Sequence, residues 1–155
     1  MDLTLITYFI AALAGTFGFG VIYNVPTRTL VASSFSGAVG WMVYYFLAFE
    51  LNLDLFVGVG VAAFLVAFFS QWYARHFRMP VIVFAIPGII PLVPGGSAYN
   101  MMRAFVEGNS DFAFMYATET FLISGAIAVG LSVNSGLFQV FSNRAFAKRE
   151  KRYLP

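Results

Sequence analysis

The sequence predicts an all-α integral membrane protein with about five transmembrane segments, on the basis of its composition and its charge spacing. Of the 155 residues, 60% are hydrophobic and 10% are charged, whereas a soluble domain carries about 25% charged residues. Six of the 16 charged residues lie in the last twelve positions, and the other ten separate long uncharged runs. A run of about 20 residues spans the ~30 Å hydrocarbon core as a helix. The runs are Leu3 to Thr27, Thr29 to Phe49, Leu55 to Ala74, Met79 to Met102 and Thr120 to Asn143.

Other interpretations of these runs fail. A transmembrane strand alternates apolar and polar residues, but residues 61–69 contain no polar side chain. A secretory signal starts with positive charge, whereas the first run follows Asp2, so we expect a retained helix. The predicted helices are Leu3–Tyr23, Leu30–Leu51, Leu55–Tyr73, a broken segment from Val81 to Leu92, and Phe112–Val133 with an extension toward Phe141.

The alternation of basic and acidic loops orients the predicted helices. The first loop, the loop at residues 75–78 and the tail carry basic residues, whereas Glu50 and Asp54 make the second loop acidic. Because basic loops stay on the cytoplasmic side, we expect the N-terminus outside, the C-terminus inside and five crossings. Residues 1–143 then form a single transmembrane helical domain and residues 144–155 a basic cytoplasmic tail. The charge of the tail is explained by this topology, so we expect no nucleic-acid partner.

Small residues recur four positions apart, which lets helix backbones approach closely in lipid. Such faces pack either within the chain or against a partner, including a second copy in a homo-oligomer, and the sequence leaves both open. Aromatic residues near helix ends, among them Tyr44 and Tyr45, are interpreted as an interfacial belt. The small-residue pairs are Ala11 with Gly15, Ser33 with Gly37, Ser36 with Gly40, and Ala126 with Gly130.

Residues 79–102 are apolar but cannot form one continuous helix. Three prolines within eight positions each remove a backbone donor and clash with the preceding turn. Backbone of this kind survives at membrane depth only where protein buries it or where it lines a water-filled cavity. The prolines are Pro87, Pro91 and Pro94, and the carbonyls that a helix through them would leave unpaired are those of Val83, Pro87 and Ile90.

A short helix is predicted after the break, with Ser97 as its N-cap and Gly108 at its end. Freed carbonyls would hold an ammonium group and the N-terminal amides a carboxylate, as in the discontinuous helices of secondary transporters. Alternatively, the prolines and glycines only let two helices or two subunits cross closely. Both interpretations place the segment against protein.

Two motifs resemble a known family. The first is Tyr23 to Arg28. The second runs from Arg78 to Tyr99 and contains residues 86–95, which we call the proline-glycine stretch. They resemble the threonine/serine exporter family, and more closely the small subunit of its split type, which is related to the bacterial succinate-exporter small subunit. The resemblance covers nearly the full chain. The matching positions are Asn24, Pro26, Arg28, Pro87, Gly88, Pro91, Pro94, Gly95 and Tyr99.

The resemblance implies a multi-pass protein of the bacterial inner (plasma) membrane that exports threonine, serine or small dicarboxylates such as succinate. It also implies that the proton motive force drives export. A larger membrane subunit of the same family is expected to take part, since single-chain members join this region to a further N-terminal half. The matching positions are then candidates for the substrate path. The alternative is an assembly subunit that transports nothing and packs against a transporter partner.

Charged side chains add further candidates. Glu119 lies about eight residues, or ~12 Å, into the last predicted helix, and ionisable groups at membrane depth mark functional sites. Glu119 is therefore the proton-coupling candidate, unless it lies nearer the interface or pairs with Arg103. Arg103 either forms a surface pair with Glu107 or clamps a substrate carboxylate. Arg28 either binds a carboxylate or only orients its loop, and Asn24 either joins the path or caps the first helix.

No residue pattern points to an enzyme. The chain has no cysteine and one histidine, His76, so thiolate and histidine metal centres are not expected. It carries no phosphate-binding loop and no nucleophile beside a base. We therefore expect no catalytic residue, metal or cofactor, and a small-molecule substrate that is handled within the lipid bilayer.

Overall fold

The computed structural model describes the backbone of residues 2–150 and the side chains of residues 4–140. This part of the chain folds into six α-helices and contains no strand. A π-helical turn, Phe46–Glu50, extends the second helix, and a 3-10 turn, Ile90–Leu92, follows the fourth. The helices are α1 Asp2–Ile22, α2 Thr27–Tyr45, α3 Leu55–Phe77, α4 Ile82–Ile89, α5 Gly95–Val106 and α6 Ser110–Glu150.

Four stretches are long and apolar enough to cross a membrane. Helices α4 and α5 pass the same test only as a pair, and they are bent by 56° at the break between them. Within the described residues, the chain is therefore all-helical with four candidate spans, or five when the bent pair counts as one. This confirms the prediction of an all-α chain with four or five candidate membrane spans. The four stretches are Thr4–Ile22, Thr27–Glu50, Leu55–Phe77 and Ser110–Val140.

Helix α6 is longer than predicted. It runs for 41 residues, about 60 Å by the helical rise, and exceeds the ~30 Å hydrocarbon core. The predicted end between Val133 and Phe141 is wrong, because the alanines, arginines and lysines that follow are strong helix formers. The predicted basic tail, residues 144–155, lies outside the residues whose side chains are described.

Three helices end on a residue with a left-handed backbone conformation. Asn24 (φ 54°) ends α1, Arg78 (φ 53°) ends α3, and Gly108 (φ 74°) ends α5. In each case the next amide donates to a carbonyl five residues earlier, as Val25 does to Gly20 at 2.9 Å. Asn24 therefore caps α1 through its backbone, and the short helix ends at the predicted glycine.

Small residues let α2 pack closely against α1, α3 and α4. A Cβ atom on Gly37 would lie 2.5 Å from Thr16 Oγ1 of α1. Gly130 of α6 packs in the same way against the Gly60 carbonyl of α3. At Gly15, by contrast, a Cβ atom would meet no neighbouring heavy atom within 4 Å. The predicted small-residue faces of α2 and α6 thus pack within the chain, whereas the predicted face of α1 is open.

The buried hydroxyl groups of α2 are satisfied by their own helix. Ser34 Oγ donates to the Leu30 carbonyl at 2.7 Å, and Ser36 Oγ donates to the Ser33 carbonyl at 2.8 Å. Polar groups at membrane depth need partners inside the protein. These serines therefore act as small packing residues, and the polar site has to be sought elsewhere.

Candidate functional site

The connection between α4 and α5 leaves fewer carbonyls free than the sequence predicts. Pro87 lies within α4, and the chain departs from the α-helix only at the 3-10 turn. The Ile90 N–H donates to the Pro87 carbonyl, and the Val93 N–H donates to the Ile90 carbonyl at 3.2 Å. The prediction that these two carbonyls stay unpaired is wrong, because the tighter turn pairs each with the amide three residues later.

Helix α5 begins earlier than predicted. Its first residue is Gly95, and Pro94 holds the cap position without a side-chain hydrogen bond to the helix. Ser97 lies inside the first turn, so the prediction that it is the N-cap is wrong. The fixed φ of proline already suits the residue that leads into a helix. Because proline has no side-chain acceptor, the first-turn amides of α5 have no side-chain cap.

A cavity of about 190 Å³ lies where this connection meets α2, α3 and α6. We call it the central cavity. It joins residues from four parts of the sequence and includes both later prolines of the proline-glycine stretch. Its lining consists of Trp41, Tyr44, Leu55, Val59, Pro91, Leu92, Val93, Pro94, Gly96, Ser97, Glu119 and Ile123.

The lining of the central cavity combines groups of opposite electrostatic character. Glu119 contributes a carboxylate from α6, and Tyr44 contributes a phenol from α2. Gly96 and Ser97 bring the uncapped first turn of α5, whose amides carry a partial positive charge. The cavity therefore offers a carboxylate and amide donors to one small molecule.

Glu119 has no ion-pair partner among the described side chains. The one ion pair within residues 4–140 joins Arg103 Nε and Glu107 Oε1, 2.8 Å apart. Arg103 thus pairs with Glu107, as the four-residue spacing predicts. Glu119 is half-buried, and no ion pair with a described side chain engages its carboxylate.

The proline-glycine stretch divides into two parts. Pro87 is fully buried, and a Cβ atom on Gly88 would lie 2.9 Å from a side chain of α3, so both occupy packing positions. Pro91 and Pro94 line the central cavity, and Gly95 comes directly after them. The stretch therefore supplies a close helix crossing in its first part and a cavity wall in its second.

The other candidates lie outside the central cavity. Asn24, Pro26 and Arg28 are exposed in and beside the turn between α1 and α2. Tyr99 of α5 is 68% exposed. Arg103 lines a different cavity. The structure thus brings Glu119 together with the second part of the proline-glycine stretch. It places Asn24, Pro26, Arg28 and Tyr99 on the surface of the bundle.

Trp41 and Tyr44 are lining residues that the sequence analysis missed. The sequence assigns Tyr44 to an interfacial belt because it lies close to the end of its uncharged run. A usable signal was present, since Gly37, Trp41 and Tyr44 are spaced four and three residues apart and so share one face of α2. Trp41 and Tyr44 lie one and two helical turns beyond Gly37, on the face of α2 that carries its small residues.

A second polar cavity, of about 260 Å³, lies between α5 and α6 near the turn that joins them. We call it the turn cavity. Two further cavities, of about 290 and 480 Å³, are lined almost wholly by apolar side chains. The two cavities along α5 and α6 are thus more polar than these two. The turn cavity is lined by Asn100, Arg103, Ala104, Glu107, Asn109, Phe112 and Tyr116.

Comparison with known families identifies the chain. The sequence model of the family described as threonine/serine exporter, ThrE, matches residues 8–136. The chain belongs to the threonine/serine exporter family. The match includes every residue that lines the central and turn cavities, and it confirms the family that the two motifs suggest. No solved structure matches this exporter-family chain. Family membership and the apolar helices make it a multi-pass membrane protein of amino-acid transport.

Proposed function

We propose that the chain is a subunit of an exporter of small hydroxy-amino acids, threonine and serine, and that the central cavity is its substrate site. The observation that carries this proposal is the presence of Glu119 and the uncapped first turn of α5 in one cavity. A zwitterion has the two complementary charges. Its ammonium group pairs with Glu119, and its carboxylate accepts hydrogen bonds from the amides of Gly96 and Ser97.

The size and charge of the central cavity favour an amino acid over a dicarboxylate such as succinate. Its volume of about 190 Å³ is below the ~300–1,000 Å³ of pockets for drug-sized ligands, so its occupant is small. Its described lining contains no lysine or arginine. The second carboxylate of succinate would therefore face Glu119 without a compensating cation. The hydroxyl of threonine or serine, by contrast, has Ser97 and Tyr44 as hydrogen-bonding partners.

Glu119 couples export to the proton motive force in this proposal. A carboxylate oxygen binds either a proton or the ammonium group of the substrate, so the two ligands compete for one group. Protons from the more acidic outer side displace the substrate there, and deprotonation toward the cytoplasm restores the site. Because Glu119 holds only one of the two ligands at a time, entry of a proton accompanies release of an amino acid.

The topology of the proposal has five crossings, with α4, its 3-10 turn and α5 as one discontinuous span. The N-terminus then lies outside and the C-terminus inside the bacterial inner membrane, in agreement with the basic loops. A larger subunit of the same family packs beside the chain. The open face of α1 at Gly15 and the exposed Tyr99 support a contact of this kind, with a second copy of the chain as the other candidate.

An assembly subunit that transports nothing is the second candidate, and one observation favours it. Two of the motif positions, Pro87 and Gly88, are packing positions, while Arg28 and Tyr99 face outward. A chain that only supports its partner would have motif residues in such places. In that case the central cavity binds no substrate.

Reconstitution into liposomes separates the two candidates. The chain is reconstituted alone and with a larger family subunit, and efflux of threonine, serine and succinate is measured under an imposed proton gradient. We expect gradient-driven efflux of threonine and serine that exceeds succinate efflux and that Ser97→Leu abolishes by filling the cavity. The matched control, Ser124→Leu on an exposed face of α6, is expected to retain the flux. Full flux in folded Ser97→Leu protein would favour the assembly role.

A further inference from the structure

The central cavity and the turn cavity occupy successive helical turns between α5 and α6. Ser97 lines the first cavity, and Asn100, three residues later on α5, lines the second. On α6, Glu119 lines the first cavity and Tyr116, three residues earlier, lines the second. Residues three apart lie on the same helical face. The two cavities are therefore neighbours along one seam between α5 and α6.

The seam becomes more polar as it approaches the turn between the two helices. Asn100 and Tyr116 come first, and the ion pair of Arg103 and Glu107 follows one turn later on α5. The side chains of this pair are 62% and 55% exposed, and residues 107–109 of the turn are exposed as well. A line of polar side chains thus leads from the half-buried Glu119 to the surface.

We propose that this seam is the aqueous route between the central cavity and the surface at residues 107–109. The Arg103–Glu107 pair is the second binding site on that route, and its ligand is the same small zwitterion. This inference rests on the proposed export function, because that function defines the ligand. The site is distinct from the central cavity, since the two linings share no residue.

The chemistry of the pair suits a zwitterion. An exposed ion pair contributes little stability, so a ligand that replaces each partner opens it readily. The guanidinium of Arg103 then binds the ligand carboxylate with two parallel hydrogen bonds, and Glu107 accepts from the ammonium group. The ligand passes from one carboxylate, Glu119, to another, Glu107, while Asn100 and Tyr116 supply hydrogen bonds between them.

The absence of cysteine from the sequence makes the route directly testable. Single substitutions Asn100→Cys and Tyr116→Cys place one thiol on the seam. Met102→Cys and Met115→Cys are matched controls on the same helices, because these methionines are 59% and 51% exposed and line neither polar cavity. Each variant is reconstituted with its partner and treated with a membrane-impermeant methanethiosulfonate reagent, and labelling after denaturation reports the amount of protein.

In the proposed topology the exposed control positions face lipid, and a thiol in apolar surroundings ionises poorly. The seam thiols are therefore expected to react at least about tenfold faster than the control thiols. Threonine, but not succinate, is expected to slow the reaction at Asn100→Cys. Adding Arg103→Gln or Glu107→Gln is expected to remove this protection, whereas Asp111→Asn, an exposed acid outside the cavity lining, retains it.

Two results would overturn the inference. Equal labelling of seam and control thiols would exclude an aqueous route, even in protein that exports threonine. Labelled seam thiols whose protection by threonine survives both charge substitutions would exclude the second site. If the proposed export function is wrong, the seam thiols would still be labelled rapidly, but the protein would show no threonine flux. That result would support the aqueous route and refute the export function.

Discussion

The two parts of the proline-glycine stretch contain the same residue types and occupy different environments. Pro87 and Gly88 are buried where α4 crosses α2 and α3. Pro94 and Gly95 lead into α5 beside the central cavity, and nothing lies within 4 Å of a Cβ atom built on Gly95. A proline-glycine pair therefore predicts irregular or closely packed backbone, whereas the neighbouring elements decide whether that backbone packs or lines a site.

The largest effect on stability is expected from adding one methyl group at Gly88, in the closely packed first part of the stretch. Gly88→Ala would place its Cβ 2.9 Å from Val66 Cγ1 and 3.0 Å from Ser36 Oγ, both in buried residues. Overpacking of this kind lowers the free energy of unfolding by about 1–3 kcal/mol. The matched change Gly95→Ala, where space is free, is expected to alter it by less than about 0.5 kcal/mol. Thermal unfolding in detergent measures both, and equal shifts would refute the contrast between the two parts.

A smaller effect is expected at Tyr44 of α2, which lines the central cavity together with the second part of the stretch. Tyr44→Phe removes a hydroxyl from the central cavity, and the loss of one hydrogen bond to the substrate raises the KM for threonine by about 3- to 10-fold. The neighbouring Tyr45 stacks on Phe49 with ring centroids 5.0 Å apart and does not line the cavity. Tyr45→Phe is therefore the matched control, with an unchanged KM. An equal change in KM for both substitutions would indicate that Tyr44 is an interfacial residue and does not bind the substrate.

The smallest effect on the chain itself is expected at the open face of α1. A Cβ atom on Gly15 would meet no neighbouring atom within 4 Å, and the adjoining cavity of about 290 Å³ has room for a larger side chain. Gly15→Leu should therefore change the free energy of unfolding by less than about 0.5 kcal/mol. The same leucine would block close approach of a partner helix, and co-purification with the larger subunit should fall. Gly125→Leu on α6 is the control, since space is free there too. Undiminished co-purification of Gly15→Leu would place the partner elsewhere.

Much of the fold was predictable from the sequence, because uncharged runs of spanning length and the positions of prolines are local properties. The spacing of Arg103 and Glu107 likewise predicts their ion pair, since residues four apart on a helix are neighbours. The length of α6 was not predictable from hydropathy, because a helix continues beyond the apolar run wherever good helix formers follow.

The candidate site was predictable only in part. Glu119 and the later prolines come from local features of the sequence, but their meeting in one cavity depends on how α2 and α6 pack. The distance of Tyr44 from a helix end indicates its depth and not the direction of its side chain, so a belt residue and a lining residue look alike. The spacing of the prolines also did not reveal that a 3-10 turn would provide hydrogen-bond donors for the Pro87 and Ile90 carbonyls.

The proton-coupling role of Glu119 is tested by the response of threonine efflux to an imposed proton gradient in Glu119→Gln protein. Glutamine keeps the size of the side chain and cannot exchange a proton, and Glu50→Gln is the matched control at an exposed carboxylate outside the central cavity. We expect the gradient to accelerate efflux in the wild type and in Glu50→Gln and to have no effect in Glu119→Gln. Full gradient dependence in Glu119→Gln would show that Glu119 does not couple export to the proton gradient.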